Sequence, residues 1–227
     1  MLTGYTPDFF RKEFGPNWNT VSSKIANPPR LTLLFEGVDA NTAPVEPVPI
    51  ADLMNYCRVD ESVDQALVLS LGKAARRAIE KYLNRPLVLK KYDMYMDHVP
   101  FEMKFLFPIT KILAVSLIQT YNMDNTTATQ DSSTYQVDLN PTEPKVYLNI
   151  GGIWNPTNRL YNAFQVTFTC GYANTTTDFP PDDILMALKL LTNTWYEGRN
   201  QTSTDENSNL TAGVKALIEP HRYKSLA

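Results

Sequence analysis

The sequence predicts an α+β protein. A helical bundle is built from two separated stretches, an antiparallel β-sheet or small sandwich is inserted between them, and an extended N-terminal arm comes first. Three observations carry this. Apolar residues recur at helical spacing between Ile50 and Tyr82. They alternate singly with polar ones in short runs between Tyr92 and Cys170. Helical spacing then returns after Asp183. The division is 1–45 for the arm, 46–86 and 179–227 for a discontinuous helical core, and 87–178 for the inserted β domain.

The arm carries Tyr5, Phe9, Phe10, Phe14 and Trp18 with no sustained period, and it is broken by Pro7, Pro16, Pro28, Pro29 and Pro44. One apolar run, Leu31 to Phe35, has strand length. Segments that stay free in water are normally polar. This many aromatic rings predicts docking, either on the chain's own domain or on a neighbouring subunit.

A first short helix, about Ile50 to Tyr56, places Leu53 and Tyr56 on one face. Arg58-Val59-Asp60 leads into a longer one, for which Asp60 or Ser62 can serve as cap; Ser62 and Gln65 have capping-box spacing. Val63, Leu67, Val68, Leu71, Ala75, Ile79 and Tyr82 form its core stripe, and Ala74, Ala75 and Ala78 leave room for a close neighbour. Lys73, Arg76, Arg77, Glu80 and Lys81 cover the other faces. That pattern reads as a solvated surface or as one turned to a subunit or channel. Asn84-Arg85-Pro86 stops the helix, because proline cannot continue it.

The period then changes. Tyr92, Met94 and Met96 alternate with polar residues, as do Tyr135, Val137 and Leu139, and Val146, Leu148 and Ile150. The clearest strand is Phe164, Val166, Phe168 and Cys170. With Phe105–Phe107 and Ile112–Ile118 this makes about six strands, separated by turn-rich segments at Asn122–Thr134 and Gly151–Asn158.

Pro180-Pro181-Asp182-Asp183 opens the next helix, since proline pre-sets φ and the acids complement the helix dipole. Ile184, Leu188, Leu191 and Trp195 share its core stripe, while Met186 and Leu190 sit towards the back. A helix apolar nearly all round is buried all round. Either the domain wraps it or a second copy covers the back. A last helix, Ala212 to Ile218, runs into His221-Arg222-Tyr223-Lys224, a mixture of cations and an aromatic of the kind enriched at interfaces.

Chemistry is conspicuous mainly by exclusion. Net charge is −3, so no global basic field invites nucleic acid, and nine glycines argue against glycine-rich phosphate loops. Cys57 and Cys170 have no CxxC spacing and read as buried thiols of a reducing compartment; His98 and His221 lack a ligand pattern. G-x-S-x-G, P-loop and H-E-x-x-H motifs do not occur, and the acid pairs Asp60-Glu61 and Asp182-Asp183 stand at helix starts, where capping explains them. The expectation is a non-enzyme without metal or cofactor. No apolar run approaches the ~20 residues of a membrane span, and charges and proline interrupt what a signal peptide needs at the N-terminus. A competing reading puts a carbohydrate or small-ligand site on the β insertion, around Trp154 and Tyr161.

Several phrases, taken in order, resemble a known family. Arg58-Val59-Asp60 is followed by Ala75-Arg76, Ile79-Glu80 and Asn84-Arg85-Pro86-Leu87; then come Leu106-Phe107-Pro108, Cys170-Gly171-Tyr172, Phe179-Pro180-Pro181, Trp195-Tyr196-Glu197-Gly198-Arg199 and Leu217-Ile218-Glu219-Pro220-His221-Arg222. This order, from about Pro47 to Arg222, resembles the head–tail connector proteins of tailed phages, also called adaptor or head-completion proteins. The resemblance implies a non-catalytic virion protein, assembled in the host cytoplasm. It would form a homo-oligomeric, typically dodecameric ring between the portal protein and the tail or next neck protein. Genomic DNA would pass through its channel without sequence-specific binding, which suits an acidic chain because each cationic phosphate contact adds affinity. On this reading His221, Arg222, Tyr223 and Lys224 are candidate portal contacts. Arg76, Arg77, Met186, Leu190, Tyr196 and Arg199 are candidate subunit contacts. Leu67, Leu71, Ile79, Ile184, Leu188, Leu191 and Trp195 belong to the core. A tail-completion or stopper ring of the same neck is the neighbouring alternative. The arm is longer than the family's, and Asn84 replaces its common glycine.

Overall fold

The structure, a computed structural model, describes residues 29–60, 62–140, 143–175, 177–198 and 210–223. The first 28 residues of the arm, and with them Arg199 and Lys224 among the candidate contacts, lie outside the described residues. The fold is α+β: among the described residues four α-helices pack as a bundle, and the insert, joined by one strand from the arm, makes two antiparallel sheets.

Helix α1 is Ile50–Cys57 and ends at Arg58, whose left-handed backbone (φ 53°) lets its N–H donate to the carbonyls of Asn55 and Met54. Helix α2 is Gln65–Leu83 and is preceded by a 3₁₀ turn, Ser62–Asp64. The residue at the cap position of α2 is Asp64 rather than the expected Asp60 or Ser62. Asp64 occupies the cap position without a side-chain bond to the helix, and its carboxylate instead accepts from the Tyr196 hydroxyl at 2.6 Å. At the other end Asn84 takes the left-handed conformation (φ 54°) that only a few residue types reach cheaply.

The buried face of α2 is Val68, Gly72, Ala75, Arg76, Ile79, Glu80 and Leu83. It shares Val68, Ala75 and Ile79 with the apolar stripe read in the sequence but is rotated from it towards Gly72, Arg76 and Glu80. Leu67 is 38% exposed, which corrects its assignment to the core, and Leu71 is half-buried; Ile79 is fully buried. The cause is the close approach of α1. A Cβ on Gly72 would lie 2.6 Å from Leu53 Cδ1, so α1 comes closest to α2 where a glycine leaves room for it.

Helix α3, Asp182–Glu197, packs on α1, α2 and the short α4, Ala212–Ile218. Ile184, Leu188 and Leu191 are buried in the bundle core. Trp195 is half-buried against the same core, together with Leu185, Leu190 and Tyr196. The chain therefore wraps this helix on three sides by itself, and Leu190 and Tyr196 face their own bundle.

Seven strands lie within 87–178, one more than expected. They are β2 Lys90–Met96, β3 Lys104–Leu106, β4 Ile112–Tyr121, β5 Thr127–Thr129, β6 Tyr135–Asp138, β7 Lys145–Leu148 and β8 Phe164–Cys170. The addition, β5, has three residues inside a turn-rich segment, too few to show a period. A further strand, β1, Arg30–Glu36, comes from the predicted arm and pairs antiparallel with β2, from Arg30 opposite Tyr95 to Glu36 opposite Lys90. The sheet orders are β1-β2-β8-β4-β5 and β3-β7-β6. Phe105, Val146 and Leu148 from the small sheet share one core with Met94, Ile118, Phe164, Val166 and Phe168 from the large one. Gly171 ends β8 at φ +100°, where any Cβ would lie 2.0 Å from the Val88 carbonyl oxygen; no other residue fits there.

Candidate interaction surfaces

The two cores meet at a cluster of charges. Arg76 is 1% exposed. Its guanidinium donates from Nε to Glu46 at 2.9 Å, from Nη2 to Glu36 at 3.0 Å, and from Nη1 to both oxygens of Glu80 at 3.2 Å. Lys90 Nζ bridges Glu80 at 2.8 Å and Glu36 at 3.0 Å, and the Leu87 backbone N–H donates to Glu80 at 2.8 Å. Arg76 is therefore neither a solvated cation nor a surface-available subunit contact. Burial would favour its neutral form, but the surrounding carboxylates, Glu80 first, outweigh that and raise its pKa. Burial likewise pushes the Glu36 carboxyl up, and the Lys90 hydrogen bond and the Arg76 charge overcome it and hold the pKa below its usual value. A buried charge survives only with this density of partners. Four segments that are distant in sequence are tied together: β1, the stretch before α1, α2 and β2.

Arg77, one residue on, is exposed. It lines an open groove of ≈ 310 Å³ with Lys81, Arg85, Glu36 and Glu80. The groove mixes both signs of charge, so it has no simple preference for anions.

The C-terminal candidates are clasped against helix ends. Glu219–His221 form a 3₁₀ turn after α4. His221 Nε2 stands 3.3 Å from Asp183 at the start of α3. Arg222 lies over the Tyr82 ring, 4.8 Å from its centroid, and the Tyr82 hydroxyl donates to Glu219. The Tyr223 backbone N–H donates to the Leu83 carbonyl at 3.0 Å. Tyr82, the aromatic that holds this clasp, was read from the sequence only as part of the α2 stripe.

On α3, Met186 is 42% exposed, so of the two residues placed at the helix's back it alone retains substantial outward surface.

Sequence reasoning missed a surface altogether. At one end of the β insert Phe101 is 93% exposed and Leu160 80%, with Met103 and Ile153 also largely in solvent. Two shallow cavities, ≈ 370 and ≈ 430 Å³, lie on either side of Val99 and Phe101. These residues sit in connecting segments with no period, so only the structure could bring them together. The same region holds the two residues of the carbohydrate reading. Trp154 is buried against Phe105 and Phe164, and its indole N–H donates to the Glu102 carbonyl at 3.1 Å. Tyr161 is overlaid by Arg30, 4.4 Å from the ring centroid. Trp154 is thus closed to a sugar, while Tyr161 is 54% exposed with one face of its ring taken by Arg30.

Among the described residues no group of three or more His, Cys, Asp or Glu is arranged to hold a metal, and no helix is long and apolar enough to cross a membrane. Cys57 and Cys170 are free and buried, and burial pushes both thiols up, away from the reactive thiolate.

No protein-family profile and no curated protein sequence matches the chain. Solved structures do. A chain from the neck of an empty gene transfer agent (GTA) particle with C6 symmetry superposes with a TM-score of 0.67 at 18% identity, covering 87% of this chain and 97% of that one. A chain from the virion of the native GTA particle gives 0.67 at 20% identity, with the same coverage. A chain from the neck of the native particle with C12 symmetry gives 0.62 at 19% identity, covering 86% and 97%. The bundle with its inserted sheets is thus the fold of a chain found in the necks of gene transfer agent particles.

Proposed function

We propose that the chain is a structural neck protein of a phage-like particle, an adaptor that forms a homo-oligomeric ring on the portal vertex and joins it to the tail or the next neck protein. The observation that carries this is the fold likeness to GTA neck chains, which spans nearly the whole of those chains. The order of sequence phrases from Pro47 to Arg222 points the same way. Such a protein needs no catalytic group, and genomic DNA would pass through the ring without sequence-specific contacts, as the net charge of −3 favours.

In this reading the segment His221, Arg222, Tyr223 and Lys224 meets the portal. Its clasp on Asp183, Tyr82 and Leu83 uses few and partly exposed contacts. Exposed ion pairs contribute about 0–1 kcal/mol each, so a portal groove can take the segment over at small cost. Arg77, Met186 and Arg199 remain candidates for the contact between subunits, with Leu190 and Tyr196 contributing through their outer edges, and Arg76 acting from behind by fixing the α2 face.

The test is a native mass of this chain co-expressed with the portal protein of the same genome. A portal ring carrying a matching number of copies supports the adaptor. Folded portal rings with none bound overturn it, and binding to a tail-side ring in the same experiment would support the stopper or tail-completion role.

A further inference from the structure

Helices α2 and α3 pack on each other and give their buried residues to one core. Their outward sides therefore look away from that core, towards different flanks of the bundle. The two flanks carry opposite charge. On α2, Lys73, Arg77 and Lys81 are exposed at intervals of four residues, a row that rises ~6 Å per step. Glu36 and Glu80, which share the groove with Arg77 and Lys81, are already held by Arg76 and Lys90. Among the described residues none of the three cations of the row meets a carboxylate. Like charges four residues apart on a helix repel, so the row is a cost with no return inside the chain. Beside it Leu67 and Ala74 are exposed. On α3, Asp182, Met186, Asn193 and Glu197 share the side opposite the buried Ile184, Leu188 and Leu191. Asp182, Met186 and Glu197 are exposed there. The one cation of this helix, Lys189, is turned to Asp52 of α1 at 3.9 Å. Glu197 stands in the last turn, where the helix dipole disfavours a carboxylate and no basic residue offsets it; Asn193, on the same side, donates to it at 3.0 Å.

We propose that the α2 flank of one copy docks on the α3 flank of the next, with Lys73, Arg77 and Lys81 against Asp182 and Glu197, and Leu67 and Ala74 against Met186. The pairing rests on the ring reading above, and in it Arg77 and Met186 belong to opposite halves of one contact. Two different surfaces that fit each other make a head-to-tail contact, and such a contact repeated by a fixed rotation closes into a ring. Two α2 flanks, or two α3 flanks, would set like charges against each other, so the charges fix the direction of the contact. Singly, exposed ion pairs add little affinity. The apolar side chains beside them supply the surface that the contact removes from water. Nucleic-acid phosphates would match the cations of α2, but neither the apolar side chains beside them nor the acidic flank of α3.

The test is cross-linking between copies of the full chain. Ala74→Cys and Met186→Cys each place one thiol on an exposed position of one flank, while Cys57 and Cys170 are buried and stay silent. The two variants, differently tagged, are mixed and treated with a short bismaleimide, alone and together with the portal protein. The expected result is a mixed dimer about tenfold in excess of either dimer of one variant with itself, because only unlike flanks attract. Lys73→Glu/Arg77→Glu in the Ala74→Cys copy should remove that excess, and Asp182→Lys/Glu197→Lys in the Met186→Cys copy should restore it. No excess of the mixed dimer in either preparation overturns the pairing, as does an excess that the first charge reversal leaves unchanged or the second fails to restore. Binding of a labelled DNA duplex that Lys73→Glu/Arg77→Glu abolishes, without a mixed dimer, overturns it too and assigns the row to phosphates. Copies bound to the portal without the mixed dimer overturn the pairing and leave the neck role standing. A mixed dimer from a chain that the portal does not recruit supports the pairing and removes the neck role.

Discussion

On the long helices α2 and α3 the large apolar side chains most open to solvent, Leu67 and Met186, still bury more than half of themselves; on the β insert Phe101, Ile150, Ile153 and Leu160 bury a quarter or less. The bundle is closed by its own parts. Helix α3 is apolar nearly all round because α1, α2 and α4 surround it. The insert spends its strands on one shared core, and the apolar residues of its connections have nothing left to pack on. A contiguous exposed patch of this kind marks a surface built to be covered. Closed packing and open apolar surface are thus divided between the two regions, and mutations can test that division.

The largest effect is expected at the junction. Arg76→Ala leaves Glu36, Glu46 and Glu80 in a largely buried site with Lys90 to pair only Glu36 and Glu80, which is expected to cost about 3–5 kcal/mol; denaturant unfolding would measure it, and a loss under about 1 kcal/mol would show the cluster to be open to water. Next, Trp195→Ala removes a ring that is half-buried against the bundle core. Full burial would cost about 3–5 kcal/mol. Here about 2 kcal/mol is expected, and the variant should remain folded by circular dichroism. Acid should act on the junction too. The Glu36 pKa is lowered in the folded chain from an ordinary 4.5, so its contribution is complete above that value and is lost as pH falls through the lower folded value. Asp178, held down by its Lys111 partner at 2.8 Å, behaves in the same sense. Unfolding midpoints should drop as pH falls below about 4.5, and less steeply in Glu36→Gln than in the native chain. The smallest effect is expected at the patch, where Phe101→Ser should shift stability by no more than about 0.5 kcal/mol. A large loss there would mean that the patch already belongs to a core.

The helices were legible because their periods are long. The last one runs Ala212–Ile218 as the pattern indicated, and Asn84 adopts the left-handed stop. What the period cannot show is which charged residues are inside. Arg76 and Glu80 lie on the buried face of α2, and a stripe drawn through apolar residues alone must step around them. The other partners of Arg76, Glu36 and Glu46, lie 40 and 30 residues away. No local pattern couples them. Leu67 failed for the converse reason: it fits the stripe, but the close contact at Gly72 turns the helix so that Leu67 faces out. The exposure of Arg77 and Met186 was legible because helices have predictable sides. That of Phe101 and Leu160 was not, because connecting segments have none.

The junction also sets how the chain would bear a load. Tension on the segment before Pro29 acts first on Arg30, at the free end of an edge strand, and edge strands detach pair by pair from the end that is pulled. Detachment would run from the Tyr95 pairing towards the Lys90 pairing. There it meets Glu36, anchored to both Arg76 and Lys90 at 3.0 Å. The strand can peel, but it peels towards a lock, and the bundle behind that lock would be shielded from the pull.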